Sequence, residues 1–215
     1  MKVSVKRIEG LIVKGAEYTP PTSGAATCET KAPCDCHYGG DQDWYGSPWR
    51  RGSGCGPTTV ATITSYMARS ATARDVDKAE LVAHMNDIWQ YVTPTMFGLP
   101  KTSQVRRRIE KLIAVRHFPH SVAELEVPEK PQERPSFDRV AQFITESLRR
   151  DAPVAFLCLD NGGQEQLDNW HWTTLASLDA ESGEAEIIDS GRLFSIDLRR
   201  WLTETSKGGG FIAME

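Results

Sequence analysis

A chain of 215 residues, 40% hydrophobic and 25% charged, has the length and apolar content of one globular domain with a real core, and its composition is not that of a disordered segment. A net charge of −4 and a pI near 5.8 argue against a nucleic-acid partner, and Arg106-Arg107-Arg108 and Arg199-Arg200 are short runs of the kind found on solvated faces. No apolar run reaches the ~18 residues of a membrane span, and "MKVSVKRIEGLIVKGAEY" interrupts its apolar positions with charge, unlike a signal peptide, so a cytoplasmic protein with no membrane partner is expected.

Val3 to Val13 alternates loosely and predicts an edge strand or a hairpin around Gly10. From Gly15 to Arg51 the chain is rich in Gly, Pro, Thr and Cys with aromatics interleaved, which predicts a long irregular segment. A helix is expected from Gly56, with Pro57 in its first turn and Val60, Ile63 and Met67 on one face. Val82, Met85, Trp89 and Val92 mark a second helix, and Val105, Ile109 and Leu112 a third. Prolines and alternating charges between Pro119 and Pro135 read as a loop, after which Ser136 caps a helix carrying Phe137, Val140, Ile144 and Leu148. The period then changes. "PVAFLCLD" (153–160) has the length and composition of a buried strand, "HWTTLASLDAESGEAEIIDSG" (171–191) reads as strand, turn, strand, and "RLFSIDL" and "GFIAM" could supply two more. The expected fold is therefore α+β in a single domain: an N-terminal strand and irregular segment (1–41), a mainly helical half (42–150) and a β half (151–215).

The chemistry centres on "GSGCGPTTVATITSYM" (52–67). A reactive cysteine works as its thiolate, and the unpaired N–H groups and aligned dipoles at a helix N-terminus stabilise negative charge where Cys55 sits. Gly54 and Gly56 are expected to permit tight geometry and to leave room for a substrate carbonyl beside the sulfur. A base must accompany the nucleophile. Of the five histidines only His171 falls on a well-marked strand, and the returning strand carries Asp189 in "AEIIDSG". A three-residue loop pairing Leu178 with Ser182 would set His171 opposite Asp189, while a five-residue loop pairing Leu178 with Glu184 would leave them diagonal on one face, above Thr173, Leu175, Ala185 and Ile187. Nucleophile, base and orienting carboxylate form the logic of a cysteine hydrolase. The bland alternative is a half-buried strand histidine and a turn aspartate.

"GCGPTTVATI", then "HWTTLAS", then "IIDSG" resemble the C39-like branch of the papain-like cysteine peptidases over about Gln42 to Gly191. The resemblance implies a papain-like fold, with a central helix headed by Cys55 packed on a C-terminal antiparallel sheet bearing His171 and Asp189. It implies hydrolysis of a peptide or other amide bond through a Cys55 thioester, with no metal or organic cofactor. Members of this branch often carry Gln-x-Asp-x-x-Trp and Tyr-Gly before the cysteine, the Gln being a candidate oxyanion-hole donor. Here "DQDWYGSPW" keeps Gln42, Trp44, Tyr45 and Gly46 in compressed form, and Trp49 occupies the position about six residues before Cys55 where many papain-like enzymes place the Gln.

Two rivals remain from sequence alone: a papain-like acyltransferase, and a non-catalytic binding domain with a metal or thiol cluster at Cys28, Cys34, Cys36 and His37. The spacing of that cluster matches no familiar zinc finger, and the odd total of five cysteines in a reducing compartment reads as thiols rather than a disulfide framework. Cys158 reads as a core residue, His84 as an exposed helical one, and His117 and His120 as capping or surface groups. "DNGGQEQLDN" (160–169) joins two strands beside His171, as a shaper of substrate access or as a plain connection.

Overall fold

The computed structural model describes residues 1–16, 36–70 and 74–215. The first part of the chain contains β1 (Lys2–Ser4), a 3-10 turn (Ile8–Leu11), β2 (Val13–Lys14) and a second 3-10 turn (Gln42–Trp44). Helices α1 (Pro48–Ser53) and α2 (Cys55–Ser70) follow, then β3 (Val76–Asp77), α3 (Lys78–Trp89), α4 (Thr102–Arg116), β4 (Val122–Val127) and α5 (Phe137–Arg149). The last third is β5 (Val154–Cys158), β6 (His171–Asp179), β7 (Glu184–Asp189), β8 (Arg192–Asp197), α6 (Leu198–Glu204) and β9 (Gly209–Met214). The caps are written in the sequence. The side chains of Ser47, Asp77, Ser136 and Asp197 accept backbone N–H groups in the first turns of α1, α3, α5 and α6.

Seven antiparallel strands make the main sheet, in the order β4-β9-β5-β6-β7-β8, with β1 pairing the later half of β6 beyond the end of β5. The chain is thus α+β, with helices on both faces. Strand β5 shows the partition: Ala155 and Leu157 pack with Val60 and Ile63 of α2, Met85 of α3 and Ile109 of α4, while Val154, Phe156 and Cys158 pack with Ile144 of α5 and Trp201 of α6. Burial on both faces explains why β5 is an unbroken apolar run. Phe137, Val140, Ile144 and Leu148 are all buried along α5, and full burial of such a side chain stabilises by about 1.5–3 kcal/mol.

Several elements depart from the expectation. Residues 122–127, expected to be loop, are an edge strand paired with β9; the glutamates read as loop charges alternate with the apolar positions of "VAELEV". No hairpin forms around Gly10, because β1 joins β6 and β2 runs parallel to β3. Helix α1 begins inside the stretch read as irregular, α6 follows β8 directly, and Val92 lies beyond the end of α3 although it is fully buried.

The register of β6 against β7 decides the site. Near the turn Leu178 pairs with Ala185, which is neither expected pairing, and continued unbroken it would put His171 and Asp189 on opposite faces. A bulge between Leu175 and Ser177 adds one residue to β6, so that Leu175 pairs with Ile187 and Thr174 with Ile188. The extra residue restores the parity. His171 and Asp189 end on one face in the diagonal arrangement.

Candidate active site

Cys55 is the first residue of α2, and Gly54 separates it from α1. The first N–H groups of this 16-residue helix lack intrahelical acceptors and lie beside the sulfur. The flanking glycines are explained by packing more than by room for substrate. A side chain at Gly54 would collide with the Arg50 main-chain carbonyl of α1 and come within 2.7 Å of the Tyr45 ring, and one at Gly56 would meet Leu99 at 3.0 Å and Trp172 at 3.5 Å. The "GCG" spacing therefore seats the helix end between Tyr45 and the Leu99–Trp172 pair, which is itself fixed by the Trp172 indole N–H donating to the Leu99 carbonyl at 2.8 Å.

His171 opens β6 and Asp189 closes β7. The His171 Nε2 and Asp189 Oδ1 lie 2.8 Å apart, with both side chains largely buried, and Asp189 Oδ1 also accepts from the Ser190 hydroxyl at 3.2 Å. Trp172, Thr174 and Ile188 line the pocket against α2, so strict alternation would turn His171 and Asp189 away from it. Both sit instead at strand ends beside a left-handed residue, Trp170 at φ 58° before His171 and Ser190 at φ 45° after Asp189. Such backbone is costly for a bulky side chain and is found where the surroundings force it. Here both alternating sets line one pocket with Cys55. Burial opposes the His171 cation, but hydrogen bonds to Asp189 and then to Cys55 outweigh it, and its pKa stands well above the ordinary 6.5. With Nε2 given to Asp189, Nδ1 is the nitrogen left for the thiol.

The same pocket is lined by Gln42, from the 3-10 turn, with Gly40, Thr58, Thr59, Thr62 and Ser190, and it encloses 20 Å³ of water-accessible space. Gln42 makes no side-chain hydrogen bond among the described residues, so its amide is free to donate. The segment carrying it is pinned twice. Gly40 N–H donates to Thr62 Oγ1 at 2.9 Å, and the buried His37 ring stacks on Trp44 at 4.7 Å with Gly191 against its edge, where any side chain on that glycine would collide. Trp49, the other oxyanion candidate, is 51% exposed, stacks edge-on against Trp89 and does not line the pocket. The threonines escaped the sequence reading although their signal was present: Cys55, Thr58, Thr59 and Thr62 fall at i, i+3, i+4 and i+7, one helix face.

Cys28 and Cys34 lie outside the described residues, and among those described no third ligand joins Cys36 and His37. Cys36, Cys55 and Cys158 are free thiols. Cys158 is buried in the core, which pushes its pKa up to about 12. His84, expected to be exposed, is partly buried between α2 and α3, with its Nε2 2.7 Å from Thr64 Oγ1 and its pKa lowered by burial. His117 caps α4 in the left-handed conformation at φ 52°. Asp168, His171 and Asp189 are the set of metal-ligand types that converge among the described residues, within 4.8 Å of one another. Two carboxylates thus flank the imidazole, one of them hydrogen-bonded to it. No helix among the described residues is long and apolar enough to cross a membrane.

No protein-family model matches the chain. A search of curated proteins finds no match either.

Proposed function

We propose that the protein is a thiol-dependent amide hydrolase, a cysteine peptidase of C39-like, papain-like type. The observation that carries this reading is the 2.8 Å His171–Asp189 hydrogen bond in a pocket shared with Cys55 at the head of α2. The Cys55 thiolate attacks the substrate carbonyl carbon, and the oxygen takes the electron pair under the Cys55 N–H and the Gln42 amide. Collapse expels the amine, which takes its proton from His171, and leaves a thioester. His171 then accepts a proton from water as the water attacks the thioester. The second collapse releases the acid and regenerates Cys55.

The direct test is incubation with a degenerate peptide library, with products read by mass spectrometry. New termini made by the native protein and absent with Cys55→Ala support the reading; adducts to an added amine in place of acid would mark acyl transfer. Intact peptides throughout would end it. Independently of substrate, iodoacetamide at neutral pH should label Cys55 fastest of the thiols, well ahead of Cys158, whose burial holds it protonated. Peptide mapping reads the order, and a Cys55 slower than Cys158 contradicts the assignment.

Asp189→Asn should slow turnover while leaving the fold in place, because it removes an orienting group and not the nucleophile. It should also change the pH dependence of stability. A histidine whose folded pKa is raised contributes stability that is complete below its unfolded value of 6.5 and is lost as pH rises through the folded value. The melting-temperature gap between native and Asp189→Asn proteins should therefore be widest in the mildly acidic range and close at alkaline pH. A gap that widens with rising pH would show that the carboxylate does not hold the imidazolium.

A further inference from the structure

The Asp168 carboxylate takes no part in the mechanism above, yet it lies within 4.8 Å of the ligand atoms of His171 and Asp189. It is exposed and has no ion pair among the described residues. Its position is fixed by the loop that carries it. Asn161 N–H donates to Asn169 Oδ1 at 2.7 Å, Gln164 exchanges two hydrogen bonds with the Asp197 backbone at 2.9 and 2.8 Å, and Leu167 is buried. Two residues on, Trp170 is held in a left-handed conformation that leaves its indole 56% exposed, and the Lys207 ammonium sits 4.7 Å from the ring centroid. The loop beside the site thus presents an unpaired carboxylate and an aromatic face already receiving a cation from its own chain.

In the proposed reaction His171 protonates the leaving nitrogen, so the residue beginning with that nitrogen must lie against His171. We infer that Asp168 and Trp170 form a subsite for a cationic side chain there, so that the preferred substrates are peptides with lysine or arginine immediately after the scissile bond. The inference rests on the cysteine peptidase reading. Asp168 supplies the charge for the cationic head, and the exposed Trp170 indole an apolar wall along which the aliphatic stem can lie.

Thiol reagents test the subsite without a known substrate. Cys55 attacks the sulfenyl sulfur of an alkyl methanethiosulfonate, forming a mixed disulfide and releasing methanesulfinate, so rates with trimethylammonioethyl and plain ethyl reagents can be compared by mapping Cys55. At low salt the cationic-to-neutral rate ratio should be about tenfold higher in the native protein than in Asp168→Asn, with Asp168→Glu restoring most of it. Trp170→Ala should lower the ratio by about threefold. In library digests, enrichment of lysine and arginine after the cut should disappear with Asp168→Asn. A Cys55 that reacts readily but with the same ratio in Asp168→Asn overturns the subsite alone. A Cys55 no more reactive than an ordinary thiol removes the peptidase reading and the subsite with it.

Discussion

Cys55→Ala should abolish turnover and acyl-enzyme formation, and His171→Ala should lower kcat/KM by about 10⁴-fold or more. Both losses should occur in a folded protein. Cys55 is only partly buried at the end of α2, at the margin of the cluster that holds Val60 and Ile63, and alanine is the best helix former, so its truncation removes one sulfur from the edge of that packing and leaves the helix in place. His171 is the first residue of β6, and its backbone pairing with Cys158 survives loss of the ring. Because nucleophile and base act as a unit, the double variant should be no worse than the worse single one. Near-UV circular dichroism and melting temperature report the fold, and acyl-enzyme mass after rapid quenching reports the chemistry. Retained turnover in Cys55→Ala would remove the nucleophile assignment, and additive losses in the double variant would separate His171 from the step that uses the sulfur.

Much of this arrangement was legible in the chain, for identifiable reasons. Pro57 and the Val60, Ile63 spacing mark α2, Ser136 marks the start of α5, and the solid apolar run of β5 marks a buried strand. Those signals are local. What escaped was set by neighbours: β4 is a strand because β9 offers it a pairing edge, and α1 forms in a glycine- and proline-containing segment because Ser47 and Pro48 start it and Trp49 packs on Trp89.

The His171–Asp189 pairing shows the limit most clearly. Strand period could state that the two residues share a face only for a stated loop length and an unbroken ladder. The actual turn has the wrong parity, and the bulge between Leu175 and Ser177 corrects it. "TLASLD" carries no glycine or proline to mark that bulge. Sequence alone suggests openness for the thiol's glycine neighbours, yet their close approach to Tyr45, Leu99 and Trp172 is a tertiary property that only the packed structure displays.

Gln42→Ala should lower kcat by about a hundredfold or more while changing KM little. An acyl-transfer intermediate needs two donors at its oxygen, and the Cys55 N–H is the first. Gln42 lines the same pocket, and its amide has no competing partner among the described residues. Its backbone is pre-set. Asp41 caps the 3-10 turn by accepting the Asp43 N–H at 2.9 Å, Gly40 is tied to Thr62 of α2, and Tyr45, 1% exposed, anchors the far end in the core. A donor held in this way reorganises little as charge develops, which is why its removal should act on kcat. Gln42→Glu should be at least as damaging, since a carboxylate in that place repels the oxyanion. Trp49→Phe should leave kcat near the native value, because the Trp49 ring is turned onto Trp89 outside the pocket. An unaltered kcat in Gln42→Ala would pass the whole of the oxyanion's stabilisation to the backbone at the head of α2, and a loss in Trp49→Phe alone would pass it to the indole.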